Sequence, residues 1–211
     1  MDAILLAGML SVVGVIVWAI QPVVIRSHRN SELTEAINNA RQIGFALFEF
    51  DTEYGRFPDA TTTSPVRRKA GTLLPLGVKT SNDFFRQLIA SGLVVSERMF
   101  FAKIAGAREA DNWIEGAHAL EKGECGFAYL AGLSIQGNPG RPVVVTPLIP
   151  GTDRFDRTKF DGRAVILKID NSVTSVPIDR DGHVMMFGKN LLDPTNPIWG
   201  EGDKFTIAWP E

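Results

Sequence analysis

The stretch AILLAGMLSVVGVIVWAIQPVVIRSHRNSELTEAINNARQIGFALFEFDTEY, residues 3–54, decides how the rest of the chain is read. From Ala3 to Ile20 there are eighteen residues with no charge, and Ser11 is the only polar side chain among them. At 1.5 Å per residue a helix of that run is roughly 27 Å long, and roughly 35 Å if it continues through Ile25. Either length crosses the hydrocarbon core of a bilayer. Beyond Arg26 the composition turns polar, yet Leu33, Ile37, Ala40, Gly44 and Leu47 recur at spacings of three and four. Ala36, Ile43 and Phe50 widen that stripe, while Glu32, Glu35, Asn38, Asn39, Gln42 and Glu49 lie mostly off it. The reading is one long helix, apolar over residues 1–25 and amphipathic over 26–58, carrying a globular head over 59–211.

A removed signal peptide fits this start less well than an anchor does. A signal core is usually about 7–15 residues behind a basic start. Here the run is longer, Asp2 is the only charge before it, and Ala19-Ile20-Gln21 is a poor cleavage site. Pro22 has no N–H to give the Trp18 carbonyl, so a bend is expected there.

The far end reads EFDTEYGRFPD, residues 49–59. Gly55 suits a left-handed helix terminator, and Pro58 pushes Phe57 extended. Phe50, Tyr54 and Phe57 are then placed to fold back as one aromatic cluster, each buried ring contributing roughly 1.5–3 kcal/mol.

With those residues in view, the chain resembles type IV pilins and the pseudopilins of type II secretion. The apolar start with Gly14 and Pro22, the amphipathic continuation and EFDTEYGRFPD carry the likeness, and SNDFFRQLIASGLVVSERMFF, residues 81–101, is similar to the middle of some pilin-like secretion proteins. The resemblance is good over residues 3–58, fair over 81–101 and weak beyond. It implies an α+β fold with a long N-terminal helix, transmembrane and then amphipathic, packed on an antiparallel β-sheet. It also implies a single pass through the inner membrane, with the head in the periplasm or outside the cell. Assembly would run through Ile4, Ala7, Gly8, Ser11, Gly14 and Pro22, where small residues allow close helix approach. The head would pack on the helix through Leu33, Ile37, Ala40, Gly44, Leu47, Phe50, Tyr54 and Phe57. The implied partners are membrane lipid, other pilin-like subunits or copies of the same chain, and an extracellular partner. Pilins also carry a basic leader ending in glycine and an early glutamate. Here the start reads Met1-Asp2-Ala3-Ile4-Leu5-Leu6, with no glutamate, and Asp2 is the only nearby carboxylate. A leader is therefore expected upstream of Met1, or the chain is a relative that does not polymerise in the usual way. The alternative is a non-polymerising single-span protein whose exported head binds a ligand or host partner.

Charge and composition leave other classes thin. Twenty-two Lys and Arg stand against 24 Asp and Glu, so no basic surplus points to nucleic acid. Cys125 is the only cysteine, which leaves no intramolecular disulfide and reads as a small buried hydrophobe. Arg26 and Arg29 follow the apolar run with nothing basic ahead of it, which by the positive-inside rule would put the head in the cytoplasm; the rule weakens for long translocated domains.

After the helix, Asp59–Lys79 reads as a loop with a basic knot at Arg67-Arg68-Lys69, and Ser81 caps a helix over Asn82–Ser91. Met99-Phe100-Phe101 suggests a short strand, and Ile114–Leu120 a short helix. From Gly126 the pattern is β: Phe127–Leu130, Val143–Thr146, Ala164–Ile169, Val173–Ile178, Val184–Phe187 and Phe205–Trp209, the middle pair forming a hairpin through Asp170-Asn171-Ser172. Helix first and strands later, without βαβ alternation, argue for α+β with an antiparallel sheet.

Chemistry is sparse. Gly132-Leu133-Ser134-Ile135-Gln136-Gly137 places its second glycine one residue late for a nucleophile elbow. There is no phosphate-cradling glycine loop with a lysine. His28, His118 and His183 are far apart and lack second ligands at helical spacing. Asp179 and Asp181 offer two carboxylates in one turn, a weak calcium candidate. No cofactor and no catalysis are expected, and no pair of carboxylates stands out.

Overall fold

A computed structural model of the chain describes residues 30–200 and 205–211. Residues 30–54 form a helix, α1, about 37 Å long. Its stripe of apolar positions faces the core: Ala36, Ala40, Ile43, Leu47 and Phe50 are all buried, and Leu33 and Ile37 are half-buried. Asn39, read in the sequence as lying off the stripe, is buried. Its Nδ2 donates to the Phe101 and Arg98 carbonyls, at 2.9 and 3.2 Å. The amide thus satisfies two backbone acceptors that the apolar helix would leave orphaned.

The expected transmembrane stretch is corrected here. Among the described residues no helix is long and apolar enough to cross a membrane. The physical reason is plain in α1, which carries Glu32, Glu35, Arg41, Glu49, Asp51 and Glu53. Residues 1–25, with Ile4, Ala7, Gly8, Ser11, Gly14 and Pro22, lie outside the described residues.

The stop of α1 follows from its glycine. Gly55 has φ +81° and its N–H donates to the Asp51 carbonyl at 2.7 Å, closing the helix in the left-handed conformation that costs glycine no Cβ clash. Phe50 and Tyr54 stack at 4.4 Å between centroids, and Phe57 is buried. The segment is tied to the body by the Tyr129 hydroxyl, which donates to the Pro58 carbonyl at 2.8 Å, and by the Ile135 N–H on Asp51 at 3.1 Å.

Thr63–Ala70 is a second helix, α2, where the sequence reads as a loop. Thr62-Thr63-Ser64-Pro65 looks like turn chemistry. A proline in the first helical turn, however, loses no hydrogen bond, because that N–H has no intrahelical acceptor. Gly71, at φ +59°, ends the helix, and the basic knot becomes its last turn, where cations meet the negative end of the dipole. Lys69 pairs with Glu53 of α1 at 2.7 Å and lies over the Tyr54 ring. The third helix, α3, spans Ser81–Ala90. Its N-cap is Thr80 rather than Ser81, in a reciprocal capping box with Asp83. Phe84, Phe85, Leu88 and Ile89 form its buried face.

The main sheet has five strands: β1 Ala128–Ala131, β2 Pro142–Thr146, β3 Arg163–Lys168, β4 Val173–Pro177 and, numbered last in the chain, β7 Thr206–Ala208. Their order is β4-β3-β2-β1-β7 and every pairing is antiparallel. Strands β1 to β4 are a meander, and β7 returns to the free edge of β1, with Leu130 opposite Ile207. Short strands β5 Met185–Met186 and β6 Lys189–Asn190 form a separate hairpin, so the run Val184–Phe187 does not join the sheet. Glu97–Phe100 is a 3-10 turn rather than a strand, with Phe100 stacked on Phe85 at 4.9 Å, and only Gly116–His118 is helical between Ile114 and Leu120. Short apolar runs carry no periodicity long enough to tell these states apart.

The helix and the sheet meet closely at Gly44. A Cβ there would fall on the side-chain oxygen of Asn171, in the β3–β4 turn, and lie 2.9 Å from a Leu167 methyl. Asn171 itself has φ +62°, a conformation asparagine tolerates better than most residues. Gly44→Val therefore overpacks the contact and lowers stability by about 1–3 kcal/mol in a denaturant melt. Asn171→Gly, which suits the positive φ and removes the obstructing side chain, recovers part of the loss. Phe57→Ala costs about 3 kcal/mol by the same measurement, and wild-type stability in that variant would mean the stretch is a loose linker.

Candidate functional site

Two features of the surface and of the loops stand apart from ordinary packing. The first is the outer face of α1. Thr34, Asn38, Arg41, Phe45, Phe48 and Thr52 are exposed and follow one another at alternating steps of four and three, so they form one line along the helix, opposite the buried stripe. Phe45 is 59% exposed and Phe48 is 52% exposed. These two rings are neighbours at i and i+3 in the middle of a polar line, with Arg41 to one side along the axis and Glu49 and Glu53 to the other. A helix of a monomer needs one apolar face; beyond its buried stripe, α1 exposes these two rings.

The second feature lies in the long connection from α3 to β1. Residues 101–127 contain no α-helix, and their backbone is held by polar side chains of α3. Arg86 donates from Nε to the Ala119 carbonyl at 2.8 Å and from Nη2 to the Leu120 carbonyl at 2.9 Å. Asn82 donates to the same Leu120 carbonyl at 3.0 Å and to that of Glu121 at 3.1 Å. The Leu120 N–H is given to Glu97, which is fully buried, as is Glu124. Glu97, Asp111 and Glu124 each present a carboxylate oxygen within 4.8 Å of the other two. Burial pushes the Glu97 carboxyl up to about 6, held back by the Leu120 N–H and raised further by the Glu124 and Asp111 charges. The one cation in contact is Arg108, whose Nη1 is 3.1 Å from Glu124 and whose Nη2 pairs with Glu121 at 2.5 Å.

The residues singled out from sequence are distributed as follows. Ala40, Gly44, Leu47, Phe50 and Phe57 are buried on the head, and Leu33, Ile37 and Tyr54 are half-buried beside it. Asp179 and Asp181 lie in a turn at the surface. There the Asp179 carboxylate accepts the N–H groups of Asp181 and His183, at 2.9 and 2.8 Å, and these hydrogen bonds hold its pKa below the usual value. Cys125 is fully buried with its thiol pushed up to about 11, which leaves it a packing residue rather than a nucleophile. His118 stacks on Trp113 at 3.9 Å and meets Glu121 at 2.8 Å.

Sequence reasoning missed Phe45, Phe48 and the three carboxylates. The two rings were visible as apolar residues off the stripe of α1. The carboxylates, 14 and 13 residues apart in an irregular segment, left no periodic signal. Two of the surface depressions, one lined by Ile104–Ala107, Lys122, Gly123 and Cys125 and one by Glu35, Arg98, Phe101, Glu109 and Ala110, do not set a nucleophile beside a base. No family model matches the chain, and neither the curated proteins nor the solved structures compared with it give a significant match.

Proposed function

We propose that this protein is a structural subunit of pilin or pseudopilin type, acting by assembly and surface recognition rather than by bond-making. The observation that carries the reading is the pair of apolar surfaces on α1, its buried stripe and the exposed rings of Phe45 and Phe48. The inner one is consumed by the head, and the outer one, centred on Phe45 and Phe48, has no partner within the described residues. Burying one phenylalanine contributes roughly 1.5–3 kcal/mol, so two rings per subunit, repeated along a series of copies, are a substantial driving force for association. The occupant is a second copy or a related subunit. The charges flanking the rings favour it: Arg41 of one α1, displaced along the axis, meets Glu49 of the next, and the rings between them come together. The apolar residues 1–25, which precede the helix in the sequence, supply attachment to lipid and hold copies at high local concentration, with the head outside the cytoplasm. Under this reading α1 is both the spine of the head and the contact between heads.

The test uses the full chain in native membranes, in a Cys125→Ser background. Single cysteines at Phe45, Phe48 and Thr52 are treated with a short bis-maleimide. Crosslinked dimers are expected at these positions and not at Thr158, which is exposed far from α1 in sequence. Phe45→Asp with Phe48→Asp should abolish crosslinking through Thr52→Cys while moving the stability of the head by no more than about 0.5 kcal/mol. A chain that remains uncrosslinked at all three positions would favour a non-polymerising anchored protein whose head binds a separate ligand.

A further inference from the structure

The geometry points to a calcium site formed by Glu97, Asp111 and Glu124, which we propose as a staple for the long connection between α3 and β1. It does not depend on whether the subunits assemble. Three observations carry it. One oxygen from each carboxylate lies within 4.8 Å of the other two, which is the span of two ligands across a cation whose oxygens sit about 2.3–2.6 Å away. One oxygen of Glu97, Oε2, is buried with no hydrogen-bond partner, although its sister accepts the Leu120 N–H. A carboxylate oxygen taken wholly out of water without a donor costs free energy that a cation restores. Finally, Arg108 pairs with Glu124 among the three, and Glu97 and Glu124 are both fully buried.

The donor set selects the ion. All three ligands are hard carboxylate oxygens, with no imidazole or thiolate among them, which suits calcium or magnesium over zinc or copper. Magnesium needs oxygens about 2.0–2.1 Å away in a near-ideal octahedron and usually keeps several waters, so an irregular set of three carboxylates suits it less. Calcium accepts a less regular set of oxygens. Asp111 is exposed, which gives the ion a route in from solvent and leaves its outer side for water ligands. The ion would join a 3-10 turn after α3, the middle of the connection and the residue that leads into β1, three points that otherwise share no secondary structure. Such a bridge adds to the few backbone hydrogen bonds of residues 101–127, such as Arg108 N–H on the Gly123 carbonyl at 2.9 Å.

The experiment uses the full chain in detergent, stripped with EGTA and then titrated with CaCl2 by calorimetry, with thermal melts at each concentration. One site per chain is expected, together with a Tm that rises with calcium, since a ligand that binds only the folded state stabilises it by mass action. Asp111→Asn, at an exposed position where the amide oxygen still accepts the Trp113 N–H, should weaken calcium binding about tenfold or more. Glu97→Gln should abolish the calcium response. Its melt in EGTA should lie at or above that of the stripped wild type, because a neutral amide keeps an acceptor for Leu120 and removes one of the repelling charges. A wild-type chain that binds no calcium and whose Tm does not move would overturn the proposal. So would a calcium response that survives intact in both variants. Equal affinity for MgCl2 would overturn the choice of calcium.

Discussion

The close approach of α1 to the β3–β4 end of the sheet is the contact on which the rest of the molecule depends. The buried stripe of α1 uses small residues where the helix passes nearest the sheet: Ala36, Ala40 and Gly44. At Gly44 there is no room for even one more carbon against Asn171 and Leu167. Larger side chains, Ile43, Leu47 and Phe50, fill the space to either side. Interiors are packed to crystal-like density, so a helix that lies this close fixes its own rotation and axial position to within a fraction of a residue. Everything on the opposite side of α1 is thereby aimed outward in a set direction, including Phe45 and Phe48.

The two ends of α1 are secured in different ways. Its C-terminal end is held by backbone chemistry: the left-handed Gly55, the Tyr129 hydroxyl on Pro58, and a buried network in which Gln87 of α3 donates to the Asp59 carbonyl at 3.0 Å and accepts from Thr62 at 2.7 Å. Nearer its other end, Asn39 reaches the carbonyls of Arg98 and Phe101, and Lys103 pairs with Glu32 at 2.8 Å. The connection after α3 is thus tied to the helix at its start and to the carboxylate cluster farther on.

Particular elements show where sequence reasoning worked and where it stopped. The stripe of α1 and the glycine stop were legible, because helical periodicity over 25 residues and a glycine before an X-Pro step are local signals. The β3–β4 hairpin was legible for the same reason, being two β-prone runs joined by a turn. Helix α2 was hidden because its first turn contains a proline and two hydroxyl residues, which serve a loop equally well. The strand expected at Met99–Phe101 became a 3-10 turn because Phe100 gains more by stacking on Phe85 than by pairing in a sheet. Asn39, read as lying off the stripe, is buried, as are Asn82 and Arg86, since each meets backbone carbonyls that only the folded chain brings to it.

By itself the sequence determined that an uncharged run of eighteen residues precedes an amphipathic helix, that this helix ends at Gly55, and that an antiparallel α+β head follows. These depend on interactions between residues a few positions apart, which periodicity and turn chemistry record directly. Only the tertiary structure decided that Phe45 and Phe48 stay uncovered, and that Glu97, Asp111 and Glu124 converge. Both outcomes are set by where distant segments pack, and no local pattern encodes a meeting between a turn after one helix, the middle of an irregular loop and the approach to a strand.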